Sequence, residues 1–262
     1  MTMRTGLAKS KNMISIRILQ SVGPKTAQEW VSRFGFDAEK HPAYLTMALG
    51  AGSVTPMQMA AAYSVFANGG YRVYPWLITK VTDHKGRVIS ETTPPTLDET
   101  NRAIDARNAF VMNSLLQEVT RSGTAARAQA TLKRTDLAGK TGTTNDSVDA
   151  WFAGYQPTVA AVTWIGYDTP RNLGSRETGG GLSLPVWISF MDRALKGVPI
   201  TEPKVPAGVV NVGGDWFYEE YARSGVPSLG LEDKGSSTTP LAAPPQQPAA
   251  EERNRILDLF KN

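Results

Sequence analysis

The feature that most constrains this chain is the spacing of three apolar runs between Asp136 and Asp168. The text there reads DLAGKTGTTNDSVDAWFAGYQPTVAAVTWIGYD. Runs over 137–144, 150–155 and 159–167 are separated by short links, Asn145-Asp146-Ser147 and Gln156-Pro157. Links this short join antiparallel neighbours, because a parallel crossover needs a dozen or more residues. The fold must therefore contain a three-stranded antiparallel meander. Its first strand carries Lys140-Thr141-Gly142-Thr143, a charge, two hydroxyls and a glycine where β-branched bulk would pack better.

Helices precede and follow the meander. The text NMISIRILQSVG ends at Gly23, and Pro24 opens PKTAQEWVSRFG, which ends at Gly35. Proline just inside a helix and glycine just past its end mark an αα-hairpin. The residues from 6 to the first of these helices read as a loop. In SVTPMQMAAAYSVFANGG, Thr55 is a capping residue, Pro56 fits the first turn, and Asn68-Gly69 suits a left-handed exit. Met57, Ala60, Ala61, Ser64 and Val65 fall near one face, as a packing surface. Residues 77–92 alternate about Asp83-His84-Lys85-Gly86, a hairpin signal. A further helix is expected over 106–121 with Asp105 as its cap, then a polar loop over 122–136. After the meander and a glycine-rich loop, LPVWISFMDRALKG reads as an amphipathic helix. Helices, antiparallel strands and a covering helix make an α+β fold. We place its body at 1–208, an extension at 209–224, and a disordered tail at 225–262, where Pro, Ser, Ala and Gln dominate.

Composition excludes several chemistries. The chain has no cysteine and two histidines, His41 and His84, so no thiolate nucleophile or cysteine-based metal site exists. His41 precedes Pro42 and His84 lies in a turn; neither reads as a catalytic base. No cofactor is expected. The net charge of +4 arises within the first forty residues. No basic run is interleaved with stacking aromatics, so no nucleic-acid partner is expected. No run reaches the ~18 apolar residues of a membrane span.

The Lys140–Thr143 run has two readings. As chemistry, the lysine and the two threonine hydroxyls can hold a carboxylate, and Gly142 lets an extended peptide approach the strand. The plain alternative makes Lys140 a solvent-facing strand residue and Gly142 a bulge. A bare Lys-Thr-Gly arises by chance in roughly one chain in twenty of this length. Ser10-Lys11-Asn12 is commoner still by chance, and both Ser10 and Asn12 suit a helix N-terminus.

Ser-x-Asn followed by Lys-Thr-Gly is the order of motifs in penicillin-binding proteins and serine β-lactamases. The surrounding text is closer. SKNMISIRILQSVG, LGAGSVTPMQMAAAYSVFANGG, AGKTGTTNDSVDAWFAGY and WIGYD resemble the transpeptidase domain of class A penicillin-binding proteins, the type 1A group above all. The likeness runs from about Leu7 to about Gly208. It implies a partial penicillin-binding, serine β-lactamase-like fold. It also implies covalent acyl transfer on D-Ala-D-Ala stem peptides of peptidoglycan, with β-lactams as inhibitors. Ser10 would relay a proton to the leaving amine. Asn12 would bond the substrate amide, and Lys140 would supply positive potential. Thr141 and Thr143 would bind the substrate carboxylate, with the Thr143 N–H in the oxyanion hole. Gly142 would admit the peptide backbone.

The family nucleophile sits in Ser-x-x-Lys, and no serine of this chain has a lysine three positions on. In the family that motif precedes Ser-x-Asn. We therefore expect the nucleophile, a membrane anchor, a glycosyltransferase domain and the first sheet strands to lie outside this chain. The chain is then a C-terminal piece of a bifunctional synthase acting on the periplasmic face of the inner membrane. On this reading it is inactive alone and touches a membrane only through the parent's anchor. Two alternatives stand beside it: a D,D-carboxypeptidase or β-lactamase-like hydrolase, and a non-catalytic module that holds peptidoglycan or a partner.

Overall fold

A computed structural model of the chain describes residues 1–94 and 96–222. The tail expected over 225–262 lies outside the described residues. The N-terminus differs from expectation. Met3–Ala8 is a helix, α1, with the Thr2 hydroxyl accepting from the Thr5 N–H at 3.2 Å. The capping signal was present in the text, but two turns are too short for periodicity to register. α2 (Asn12–Val22) and α3 (Pro24–Trp30) form the expected helical hairpin about Gly23, whose φ is +92°.

α4 (Pro56–Ala67) begins with a full capping box between Thr55 and Gln58. Its buried residues are Ala62 and Val65, and Met57 is exposed. Of the expected packing face, Val65 is buried and Ala60, Ala61 and Ser64 are half-buried, and only Met57 falls outside it. α4 is apolar almost all round, so its sequence oriented it only in part. α5 (Ala106–Arg121) starts where expected, with Asp105 Oδ1 accepting from the Arg107 N–H at 2.8 Å. The polar loop expected over 122–136 instead contains α6 (Ala126–Leu132). Alanine has the highest helix propensity, and Ala125 and Ala128 are buried in the main core.

The meander is present as β3 (Ala138–Thr143), β4 (Ala150–Gln156) and β5 (Val159–Ile165), antiparallel in that order. Residues directly opposite share a face of a sheet. Lys140 pairs with Ala153, which pairs in turn with Val162, and Gly142 pairs with Trp151, which pairs in turn with Trp164. That face, with Tyr155 and Ala138, packs on Tyr63 and Phe66 of α4 and on Leu116 of α5. The opposite face presents Phe152 to α7 (Leu184–Ala194), where Trp187 meets it edge-on at 4.9 Å between ring centroids. Val119, Ala125, Leu137 and Met191 complete this core. Helices therefore cover both faces of one antiparallel sheet, and the architecture is α+β as expected.

Two small hairpins flank the body. β1 (Lys80–Thr82) and β2 (Val88–Glu91) meet as predicted, but every residue in them is exposed. β6 (Val209–Val212), β7 (Asp215–Tyr218) and the short α8 (Glu219–Ala222) occupy most of the expected extension. They lie on α5. Phe110 meets Trp216 with centroids 5.0 Å apart, and Arg107 bonds Glu220 at 2.8 Å while stacking on Tyr218.

Candidate active site

β3 pairs with β4 alone, so its other edge is unpaired among the described residues. The strand register runs unbroken through Gly142, so the bulge reading does not hold. A Cβ at Gly142 would lie 3.2 Å from the Cβ of Trp151. The absent side chain thus leaves the indole wall of Trp151 open. The turn Gly179–Ser183 precedes α7 and lies directly on the strand. A Cβ at Gly179 would overlap the carbonyl oxygens of Trp151 and Gly142, so only glycine permits that approach. The Gly179 N–H donates to Thr143 Oγ1 at 3.1 Å, which leaves the Thr143 hydroxyl proton to donate elsewhere. Thr141 Oγ1 lies 2.7 Å from Thr124 Oγ1.

Ser10 sits in the link between α1 and α2 with φ at +49°. Its N–H donates to the Leu7 carbonyl at 3.1 Å, and the Lys11 N–H to the Gly6 carbonyl at 2.8 Å. These bonds hold a conformation that serine rarely adopts. The N-cap of α2 is Lys11, without a side-chain bond, so neither Ser10 nor Asn12 caps the helix. Instead, Lys140 Nζ donates to Ser10 Oγ across 130 positions of sequence, and to the Thr141 carbonyl at 3.0 Å. Ser10, Asn12 and Lys140 through Thr143 line a single open cleft of about 880 Å3. All six residues singled out by motif are therefore in one place.

Lys140 is partly buried rather than solvent-facing. Burial lowers its pKa from the ordinary 10.5 to about 8. Among the described residues no carboxylate pairs with it, and its bonds go to a hydroxyl and a carbonyl. Tyr63, on the α4 wall, is pushed up to about 12 by burial and stays neutral. The cleft thus offers one cation, several hydroxyls and an open strand edge. That set can hold an anionic, extended peptide.

Sequence reasoning missed several cleft residues. Tyr63, Thr124 and Thr178 come from three elements that no local pattern links to β3. Trp151 and Trp164 share the row of Gly142, since Gly142 pairs with Trp151 and Trp151 with Trp164, a register the text alone did not fix. A second cavity of about 500 Å3 shares Tyr63 and Lys140–Thr143 with the first and adds Asp149, Trp151 and Trp164.

Comparison with known proteins agrees with this geometry. The model of the penicillin-binding protein transpeptidase domain matches residues 1–191. Penicillin-binding protein 1A of Neisseria flavescens is 46% identical over 240 residues, covering 91% of this chain and 30% of that protein. Penicillin-binding protein 1A of Pseudomonas aeruginosa is 37% identical, covering 98% of this chain and 38% of its own length. The chain therefore spans roughly a third of the length of these relatives. The crystal structure of penicillin-binding protein 1A from Haemophilus influenzae superposes with a TM-score of 0.76 at 34% identity, over 80% of this chain and 36% of that one. PonA1 of Mycobacterium tuberculosis gives 0.67 at 26% identity, over 81% and 60%. With the family model matched over most of its length and 1A proteins aligned nearly end to end with it, this chain belongs to the penicillin-binding transpeptidase family and corresponds to part of a class A member of the 1A type.

Proposed function

We propose that this chain supplies the carboxylate-gripping half of a serine-type D,D-transpeptidase site acting on peptidoglycan stem peptides. The observation that carries the reading is the contact of Lys140 Nζ with Ser10 Oγ inside the cleft along β3. An extended peptide ending in a carboxylate lies antiparallel to β3, its terminus held by Thr141 and Thr143 in the field of Lys140. Asn12 donates to a substrate carbonyl. The Thr143 N–H stabilises the developing oxyanion. Ser10, bonded to Lys140, passes a proton to the departing amine. The attacking hydroxyl and its base come from a Ser-x-x-Lys that these 262 residues do not contain. The family match to a transpeptidase domain favours transfer over the hydrolysis of a carboxypeptidase or β-lactamase. In the whole protein the site works on the periplasmic face of the inner membrane, where β-lactams reach it.

A second reading concerns the chain by itself. An intact gripping edge without a nucleophile makes it a non-catalytic binder of wall peptides. Incubation with a fluorescent penicillin, followed by denaturing electrophoresis, tests both. No covalent label is expected on the 262-residue chain. A label mapped to any serine in it would overturn the assignment of the nucleophile to another segment. Titration with a D-Ala-D-Ala peptide should show binding that Lys140→Ala weakens at least several-fold, since a charge-assisted bond of about 1.5–3 kcal/mol is lost.

A further inference from the structure

We propose that the cavity between α5 and the β6–β7 hairpin is a saccharide site that takes an N-acetylated amino sugar. It shares no lining residue with either cavity that holds Lys140, and it stands independently of the peptide-gripping reading. Its volume is about 380 Å3, within the ~300–1,000 Å3 range of small-molecule sites. Three observations carry the assignment.

The first is a buried amide with an unused donor. Asn113 of α5 is only 7% exposed, and it lines the cavity. Its Oδ1 accepts from the Tyr155 hydroxyl at 2.9 Å. Burial holds the Tyr155 phenol well above its usual pKa, so the phenol remains the donor of this pair. The Asn113 amide nitrogen is thereby turned to the cavity, and no group among the described residues accepts from it. A buried donor without an acceptor is costly, and a ligand oxygen in the cavity removes that cost.

The second is the sorting of donors and acceptors by depth. Arg4 reaches the floor from α1, with its side chain 16% exposed. It donates Nη1 to the Ser114 carbonyl at 3.0 Å, Nη2 to Ser114 Oγ at 3.1 Å, and Nε to Asp215. Because Ser114 Oγ accepts there, its own proton is left for a ligand. The floor therefore offers donors. Acceptors stand nearer the rim: the exposed Glu202 carboxylate and the half-buried Gln129 amide have no side-chain partner among the described residues. Charge favours no ion, since Arg4 and Arg121 are set against Asp215, Glu118 and Glu202. The ligand is a neutral molecule that enters carbonyl first and keeps hydroxyl donors at the rim.

The third is an aromatic wall. Phe110 and Trp216 both line the cavity and meet edge-on, with ring centroids 5.0 Å apart. Aromatic surface beside a few convergent polar groups suits a ligand with an apolar body and a polar edge. A sugar ring has both, in its C–H face and its hydroxyls. An N-acetylated amino sugar meets all three conditions. Its acetamido carbonyl accepts from the Asn113 amide, its methyl and C–H face rest on Phe110 and Trp216, and its hydroxyls donate to Glu202 and Gln129.

Calorimetric titration of the full chain with di-N-acetylchitobiose and with cellobiose tests this. The two disaccharides differ only in acetamido groups that replace hydroxyls. Di-N-acetylchitobiose should bind with a Kd below about 1 mM, and cellobiose roughly tenfold more weakly or not at all. Asn113→Asp keeps an acceptor for the Tyr155 hydroxyl and removes the amide donor. It should weaken di-N-acetylchitobiose at least roughly tenfold, with near-UV circular dichroism showing an intact aromatic environment. Glu202→Ala, at the exposed rim, leaves the core untouched and should weaken the same sugar several-fold. Equal binding of the two disaccharides would overturn the acetamido assignment, and binding of neither would overturn the site. An affinity that survives both substitutions would put the sugar elsewhere and overturn the site as well. Should Asn113→Asp unfold the chain, an unchanged affinity in Glu202→Ala overturns the site by itself.

Discussion

Two sets of antiparallel strands in this molecule have opposite fates. In the β3–β4–β5 sheet, Ala138, Phe152 and Tyr155 are fully buried and helices lie on both faces. In the β1–β2 hairpin, Val81, Val88 and Ile89 are all exposed, and the ends are tied by a surface pair of Lys80 and Glu91 at 3.1 Å. Alternation identified both. What separates them is side-chain size. The sheet is dense in alanine and glycine, which lets α4 and α7 settle against it. The hairpin carries large aliphatics on both sides and nothing is seated on them among the described residues. A site that must hold geometry is built on the first kind of strand. Breaking the sheet's support should therefore be costly, and altering the hairpin nearly free.

The largest effect is expected at Asp136, just before β3. Its carboxylate takes Arg134 Nη2 at 2.7 Å, Gln156 Nε2 at 3.0 Å and the Thr201 N–H at 3.1 Å. Burial pushes its pKa up, but those bonds outweigh burial and hold it below the usual carboxylate value. Asp136→Ala strips the counter-charge from Arg134, whose side chain is 12% exposed. Loss of one partner of a buried pair costs about 3–5 kcal/mol, measurable by urea unfolding at neutral pH. Because the folded pKa is depressed, the group's stabilisation is present above the unfolded value of about 3.9. It is lost as pH falls through the lower folded value. Asp136→Asn should flatten that acid limb, and an unchanged limb would assign it to other carboxylates.

How much of this was legible follows from which interactions are local. The meander, the Thr55 and Asp105 caps and the Gly23 break were readable because each is decided within a few residues. The site was readable only through motif resemblance. Nothing local in Ser10-Lys11-Asn12 distinguishes a cleft residue from a helix cap, and the contact that settles it is with Lys140. α6 was missed because its polar surface hid Ala128, which with Ala125 just before it is buried in the core beneath α7. The C-terminal hairpin was missed because its support, Phe110 and Arg107, lies on α5, about a hundred positions earlier. The orientation of α4 was legible only in part, correct at Val65 and wrong at Met57, because a helix apolar on nearly every side carries little contrast.

A middling effect is expected at Lys140, where the sheet meets the cleft. Its pKa of about 8 in the folded chain lies below its ordinary 10.5. The unfolded chain therefore binds more protons between those values, and stability should rise with pH across that window. The penalty is fully present below pH 8 and gone above 10.5. It amounts to about 1–2 kcal/mol after allowing for the water that still reaches the side chain. Ligand binding should run the other way. The lysine is charged below pH 8, so affinity for a carboxylate-terminated peptide should fall as pH rises through that value. Lys140→Met should abolish both trends. A stability curve unchanged by the substitution would mean that the ammonium is better solvated than its position in the cleft implies.

The smallest effect belongs to the exposed hairpin. Ile89 in β2 is 67% exposed and lines neither cavity that holds Lys140. Ile89→Ser should change unfolding free energy by no more than about 0.5 kcal/mol, the usual range for surface sites. Peptide affinity should not change, because the hairpin makes no contribution to the walls of the cleft. The same substitution removes apolar surface from a patch that includes Val81 and Val88. Sedimentation of the native and variant chains therefore sharpens the contrast between the two strand systems. If the hairpin is a bare projection, both chains should sediment alike at every concentration. A lighter species for Ile89→Ser, or a destabilisation above 1 kcal/mol, would mean that something covers this face in solution. Exposure would then cease to distinguish the hairpin from the sheet.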